Sequence, residues 1–366
     1  MVEFIDDDLD VARKKLKDLE SLIKLDNQNN DFAAYEDLND QKAVFEIRKA
    51  GLNILMSMKG DRKGVAFIED CAVTLENLAD YTERLRDVFR KYNTEGLFYA
   101  HASVGTLHVR PILNAKSEQD IKNMKAIAKE AFTMVKEYKG SHSGEHGDGI
   151  VRSEFHEMMF GKKIVGAFEE IKDTFDPKGL LNPGKIVRAF KSDDRTLMRY
   201  KPDYKAENIS THYDWSAWGQ LSDAVEMCNN NGACRKLDSG VMCPSYRVTM
   251  EEKDLVRGRA NTLRLALSNQ LPKGSFASKE MFETMELCVS CKACQRECPM
   301  SVDMAKMKSE FLSHYYKKFT MGIKDRIISD MPRLIWLIKI TAPIFNKVKN
   351  IPLLDRVIEA LSLIHI

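Results

Sequence analysis

Four cysteines fall within the twelve residues "CVSCKACQRECP", Cys288 to Pro299, and any fold of this chain has to hold those thiolates around something. Cys288, Cys291, Cys294 and Cys298, followed by Pro299, spell C-x2-C-x2-C-x3-C-P. Three thiolates three residues apart on a tight loop can each reach a different iron of one cubane, while the fourth points towards a second cluster. Zinc is the rival, but structural zinc sites usually draw paired cysteines from two separated segments. Upstream, "CNNNGACRKLDSGVMCP" follows the same template imperfectly. Cys228 takes the first position, Cys234 the third, and Cys243 with Pro244 the fourth after an insertion; Asn231 stands at the second. Crossed-over ligation then gives one cluster Cys288, Cys291, Cys294 and Cys243. The other receives Cys228, Cys234 and Cys298 and is one cysteine short. A [3Fe–4S] cluster, a [4Fe–4S] cluster with one non-cysteine ligand, and an empty second site all remain open.

Seven of the eight cysteines lie between Cys228 and Cys298. Such clustering suits metal or redox chemistry in a reducing compartment rather than disulfides. Cys71, alone in "IEDCAV", reads as a buried strand residue. With Lys+Arg 56 against Asp+Glu 54, the net charge of +2 supplies no field for nucleic acid. The longest apolar run, "LIWLIKITAPIF", contains Lys339 and falls short of the about 18 to 20 residues a bilayer span needs. The acidic start "MVEFIDDDLD" is unlike a secretory signal. A cytoplasmic location is expected, with peripheral attachment to the inner membrane left open.

The chain divides into unlike halves. Over residues 1–190, "VEFI", "GVAFIE", "GLFYAHAS" and "TLHVRPIL" read as strands. Between them, Asp8–Lys24, Val73–Tyr92 and Gln119–Tyr138 have apolar residues at helical steps. This order predicts an α+β domain, helices on an antiparallel sheet, closed by the turn-rich "FDPKGLLNPGK". A polar linker is expected over 191–214. Residues 215–320 read as an all-α, ferredoxin-like iron–sulfur domain, and 321–366 as a helical tail that stops without a cap. Arg257 and Arg259 in "VRGRAN" read as a solvated helix face, with a cluster edge or acidic partner as the rival.

Two polar constellations interrupt the first half. "AHASVGTLHVRP" carries His101, His108 and Arg110, and the glycine-rich "GSHSGEHGDG" carries Glu145 and His146. Two histidines and a carboxylate are a common catalytic zinc or manganese set. His101 and His108 are seven apart, so on one unbroken strand they would face opposite sides. A kink at "SVGT" resets the alternation; without one, two buried histidines satisfied by backbone are the alternative.

Residues 1–190 resemble the C-terminal cap domain of FAD-linked 2-hydroxy-acid dehydrogenases, the D-lactate, glycolate and D-2-hydroxyglutarate group. The stretches that carry the likeness are "IRKAGL", "HASVGTLH", "SGEHGDG" and "FDPKGLLNPGKI". Residues 220–320 are similar to the iron–sulfur segment fused to that domain in large bacterial members, through "GACRKLDSGVMCPSY", "RGRANTLR" and "CVSCKACQRECPMSVDMAK". The resemblance implies His101, His108 and Glu145 as ligands of a divalent metal that grips the substrate. It implies His146 as the base that takes the hydroxyl proton, and Arg48 and Arg110 as carboxylate-binding residues. The family's acidic residue between the two histidines is Val104 here. The implied function is oxidation of a small D-2-hydroxy acid at an FAD site, with electrons passed to one or two iron–sulfur clusters and on to a downstream acceptor. The other function considered is a non-catalytic electron-transfer module. Nothing in the sequence resembles the glycine-rich FAD-binding domain, so FAD is expected from another domain or subunit, and the chain reads as an internal piece of a larger protein.

Overall fold

The structure, a computed structural model, describes residues 1–25, 32–238 and 240–348. The chain divides into two units, one of residues 1–58, 62–113 and 123–192, the other of 59–61, 114–122 and 193–366. The second therefore takes two short pieces of the half expected to be a separate domain.

The first unit opens with two helices, α1 (Leu9–Leu25) and α2 (Leu38–Met56). A four-stranded sheet follows, of β1 (Arg62–Gly64), β2 (Cys71–Ala72), β3 (Gly96–His101) and β4 (Thr106–Asn114), with α3 (Leu75–Lys91) between β2 and β3. β4 is the central strand. It pairs antiparallel with β3 from Gly96↔Pro111 to His101↔Thr106, and with β2 at Cys71↔Leu107 and Ala72↔Thr106. Between its polar ends five of seven residues are apolar, and Leu107, Val109, Ile112 and Leu113 are buried. α3 turns Tyr81, Leu85, Val88 and Phe89 inward at three- and four-residue steps, with Glu76 in its first turn and Arg90 and Lys91 in its last, which suits the helix dipole. α4 (Glu118–Glu137) buries Met124, Ile127, Ala131, Phe132 and Val135 in the same way. Three shorter helices, α5 (Gly149–Ser153), α6 (His156–Phe160) and α7 (Lys162–Phe175), complete the unit.

Two expected strands are absent. Residues of "VEFI" have no regular structure, and Val2 and Ile5 are exposed. Of "GVAFIE", only Gly64 belongs to a strand; Phe67 and Ile68 are buried in a loop that ends at Asp70, whose φ of 85° is left-handed. Apolar residues there serve the core without ladder pairing, a distinction that β-propensity cannot make. Cys71 is in β2 and fully buried, which raises its thiol pKa to about 12.

The second unit has no strand among the described residues. It contains α8 (Leu221–Glu226), α9 (Pro244–Thr249), α10 (Val256–Leu267), α11 (Lys279–Glu286), α12 (Ala293–Glu297), α13 (Met304–Lys318) and α14 (Ile323–Val348). The end of the polar 191–214 stretch is fastened to α13. Buried Glu310 accepts the backbone N–H groups of His212 and Tyr213, both at 2.9 Å, and the indole N–H of Trp215 at 3.1 Å. Among the described residues no helix is long and apolar enough to cross a membrane. The uncapped end "EALSLIHI" lies outside the described residues.

Candidate active site and iron–sulfur centre

The hairpin of β3 and β4 answers the geometric question raised by two histidines seven apart. Ala102–Val104 form one 3-10 turn and Gly105 follows at φ 71°. A Cβ on Gly105 would stand 1.9 Å from the Val73 carbonyl oxygen, so no side chain fits there. The turn reverses the chain and places His108 opposite Tyr99. Tyr99 and His101 share a face of β3, so His101 and His108 share it as well. Their ring centroids are 5.0 Å apart.

The glycine loop brings in the other groups. Glu145 Oε1 stands 3.1 Å from His108 Nε2, 3.4 Å from His146 Nε2 and 3.5 Å from His101 Nε2. The rings of His108 and His146 are stacked, with centroids 5.0 Å apart. Burial lowers the pKa of His108, with the charge of Glu69 working the other way, so the ring stays neutral with a lone pair to offer. The two implied histidine ligands thus converge on one oxygen of the third, Glu145, and the donor set fits a zinc or manganese ion.

Four residues that the sequence reading passed over organise this site. Asp70, fully buried, accepts the backbone N–H of Glu145 at 2.9 and 3.0 Å, that of His146 at 2.8 Å, and the Ser143 hydroxyl at 3.2 Å. Its carboxylate also lies within 4.8 Å of ligand atoms of His108, Glu145 and His146. Arg152 donates to the carbonyls of Glu69 and Gly147 and stands 3.6 Å from the Asp70 carboxylate. Glu69 Oε1 accepts from Arg110 at 2.9 Å, so Arg110 already has a carboxylate partner. Tyr99 stacks on His108 and lies beneath the Arg48 guanidinium, 4.8 Å from its ring centroid. Val104, between the two histidines, is exposed, and besides Glu145 the carboxylates near His108 come from Glu69 and Asp70. A cavity of about 320 Å³ is lined by Arg48, Tyr99, His101, His108, Glu145 and His146, among others. That volume lies at the small end of the ligand-pocket range.

In the second unit the cysteines sort as crossed-over ligation requires. Cys243, Cys288, Cys291 and Cys294 line one small cavity. Cys298 does not line that cavity and lies close enough to Cys228 and Cys234 for their charges to interact, while Cys234 is also that close to Cys243. The backbone has the strain that such loops need: Cys243, Ser290 and Lys292 all have φ between 53° and 62°. Pro244 then opens α9, and the Val256 N–H points at Cys243 Sγ from 3.3 Å. Burial pushes up the thiol pKa values of Cys228, Cys234 and Cys294, and that of Cys243 to about 12. These four thiols are therefore protonated without iron, and cluster assembly releases their protons. Asn231 is spent on a local turn, accepting the Ala233 N–H at 2.8 Å, whereas Asn230 Oδ1 lies 3.8 Å from Cys228 Sγ.

Arg259 corrects the solvated-face reading. It is 1 % exposed, lines the Cys243 cavity, and donates to the carbonyls of Asp254 at 2.7 Å and Thr284 at 2.9 Å and to the Ser245 hydroxyl at 3.2 Å. Helical spacing from Val256 and Leu263 puts position 259 on the inward face. Arg257 is half-buried and bidentate to Glu252, at 2.6 and 2.8 Å.

Residues 1–186 match the family described as FAD linked oxidases, C-terminal domain, and residues 224–302 match the 4Fe-4S dicluster domain. The chain belongs to the FAD-linked oxidases. FAD and [4Fe–4S] clusters are the cofactors of this pair of domains. Among curated relatives, the chain is 30% identical to a D-2-hydroxyglutarate dehydrogenase of Pseudomonas putida over 79% of its own length and 31% of the relative's. It is 28% identical to the protein of that name in Escherichia coli, over 86% and 34% respectively. A D-lactate dehydrogenase of Archaeoglobus fulgidus is 32% identical over 41% of this chain and 31% of its own. The chain thus spans about a third of the length of the curated relatives it matches.

Proposed function

We propose that this chain supplies the substrate cap and the electron outlet of an FAD-dependent D-2-hydroxy-acid dehydrogenase, with 2-hydroxyglutarate, lactate and glycolate as the substrate class. The observation that carries the reading is the convergence of His101, His108 and His146 on one Glu145 oxygen, 3.1 to 3.5 Å away, at the wall of a cavity with Arg48. When bound, a divalent ion would acidify the substrate hydroxyl, FAD would accept the C2 hydride, and the clusters would carry the electrons away singly.

The chain's own residues have the remaining tasks. His101, His108 and Glu145 would hold the ion, and His108, kept neutral by burial, needs no deprotonation to do so. His146 accepts the hydroxyl proton at Nε2, a role that suits an imidazole working near neutral pH. Arg48 binds the substrate carboxylate with its planar fork while Tyr99 supports the guanidinium from below. Arg110 lines the same cavity with its charge offset by Glu69, and holds the Glu69 carboxylate in place beside His108. Fixing both ends of the substrate determines which face of C2 is presented. The clustered thiols suit a reducing compartment, so the cytoplasm is the proposed location.

His146→Ala tests the assignment in the flavin-complete assembly. Substrate-driven flavin bleaching should fall by about 10²–10⁴-fold, as expected for loss of a general base, while dithionite still reduces the clusters. Unchanged bleaching would remove His146 as the base, and no bleaching in the wild-type assembly would leave the cap as a non-catalytic electron-transfer module.

A further inference from the structure

Behind the glycine loop lies a second set of metal-type side chains that the substrate cavity does not use. His142 is 1 % exposed and His156 2 %, and Asp148 reaches both. Asp148 Oδ1 stands 3.3 Å from His142 Nε2, and Oδ2 stands 2.7 Å from His156 Nε2. One ligand atom from each residue lies within 4.8 Å of the others. Neither ring nitrogen of His142 has a hydrogen-bond partner, nor does Asp148 Oδ1. Buried polar atoms are almost always paired in folded proteins, so these orphans call for a ligand.

The tautomer of His156 is set by its surroundings. Its Nδ1 lies 2.9 Å from the Ile186 carbonyl oxygen, which can only accept, so Nδ1 carries a proton, and Nε2, hydrogen-bonded to Asp148 Oδ2 at 2.7 Å, is the nitrogen that would exchange its proton for an ion. Metal-bound histidines are typically oriented by such a carbonyl on the far nitrogen. Phe132 and Phe160 pack on His142, and Phe160 and Phe168 on His156, which screens the group from water. The neighbouring cation, Arg152, is drawn away by the carbonyls of Glu69 and Gly147.

We propose that His142, Asp148 and His156 bind a structural divalent ion of the zinc class, separate from the His101–His108–Glu145 site. Two imidazole nitrogens and two carboxylate oxygens give four donor atoms from three residues, a set that suits four-coordinate zinc and not calcium or magnesium. His142 and Asp148 bracket Glu145 and His146 in the chain, and His156 opens α6. The ion fastens both ends of the loop to α6 and so sets where the Glu145 and His146 side chains emerge. This does not depend on the substrate proposed above.

The test counts zinc in the anaerobically reconstituted full chain, using Glu145→Gln to disable the first site. After incubation with zinc and gel filtration, Glu145→Gln should retain one equivalent beyond the cluster iron, and zinc should raise its melting temperature. Adding either His142→Phe or Asp148→Asn should abolish both effects while cluster absorbance stays intact. The proposal is overturned if Glu145→Gln with intact clusters holds no zinc and melts at the same temperature with or without it. Equal zinc retention in both double variants also overturns it, since the ion would then sit elsewhere. A double variant that fails to assemble clusters leaves the single Glu145→Gln result and the other double variant to decide.

Discussion

Asp70 holds Glu145 by the backbone: the Glu145 N–H points between the two carboxylate oxygens, 2.9 and 3.0 Å away, from a loop more than seventy residues downstream. The same carboxylate takes the His146 N–H at 2.8 Å. A buried anion thus organises the loop whose side chains face the cavity, and the left-handed backbone at Asp70 aims it there.

Replacing Asp70 by Asn keeps the shape and removes the charge. Asn tolerates the left-handed region, so backbone strain does not confuse the result. One amide oxygen remains to accept, but its NH2 now faces backbone N–H donors. The expected cost is about 2–3 kcal/mol from charge-assisted hydrogen bonds, read as a lower melting temperature. Substrate turnover in the flavin-complete assembly should drop as the loop loosens, with cluster absorbance unchanged. A variant with wild-type melting and turnover would refute this role for Asp70.

Arg259 beside the cysteine cavity makes a stronger claim. Asp254 is also buried, its carboxylate oxygens have no hydrogen-bond partner, and one lies 3.5 Å from the Arg259 guanidinium. Arg259→Met fits the space but leaves Asp254 an uncompensated charge, a loss of about 3–5 kcal/mol. Chemical denaturation of the cluster-loaded protein should show it. The double change Arg259→Met with Asp254→Leu should recover much of the loss; no recovery would mean that the guanidinium's contacts to the Thr284 carbonyl and Ser245 hydroxyl carry the stability instead.

Much of this was legible in the sequence, for identifiable reasons. Spacing encodes the cysteine loops, because three residues per step fixes which iron each thiolate can reach, and crossed-over ligation expects Cys243 beside Cys288, Cys291 and Cys294, whose cavity it lines. The helices α3, α4 and α13 follow from apolar periodicity. The hairpin that unites His101 and His108 was readable only as a condition, since "SVGT" permits a turn without specifying it. Asp70 and Arg152 carried no local signal. Their importance arises from contacts with a loop distant in sequence, and "IEDCAV" looks like any strand edge. Charge alone places Arg259 on a solvated face, whereas its helical phase with Val256, Ala260 and Leu263 places it on the buried one. His142, Asp148 and His156 escaped notice because no spacing rule links them.

Glu154 makes the first unit sensitive to acid. Burial works against its charge, but the Ser192 N–H at 2.8 Å, Lys125 at 3.0 Å, the Ser192 hydroxyl at 2.9 Å and Lys191 at 3.1 Å outweigh it and hold the pKa at about 2. A carboxyl with a depressed folded pKa contributes stability that is complete above its unfolded value, near 4.5, and is lost as the pH falls towards 2. The contribution is roughly 2 kcal/mol after allowance for solvent screening. Glu154→Gln should therefore lower stability at pH 7 and flatten the dependence between those two values. Parallel acid curves for variant and wild type would rule out this contribution.

The partition of the cysteines leads to opposite outcomes for two single-atom changes. Cys243 shares its cavity with Cys288, Cys291 and Cys294, whereas Cys298, only four residues after Cys294, belongs with Cys228 and Cys234. Cys243→Ser should therefore perturb the cluster of the C-x2-C-x2-C loop although it lies 45 positions before Cys288. Cys298→Ser should leave that cluster intact and abolish the signal of the other site. Low-temperature EPR of dithionite-reduced and air-oxidised samples, with iron counted on the same material, distinguishes the two, because a three-iron cluster is paramagnetic when oxidised and a four-iron cluster of this type when reduced. If the site of Cys228, Cys234 and Cys298 has only three thiolates to offer, the oxidised three-iron signal should be present in wild type and in Cys243→Ser, and missing in Cys298→Ser. Loss of the four-iron signal in Cys298→Ser with its retention in Cys243→Ser would mean that the ligands follow sequence order, and the crossed-over arrangement would fall.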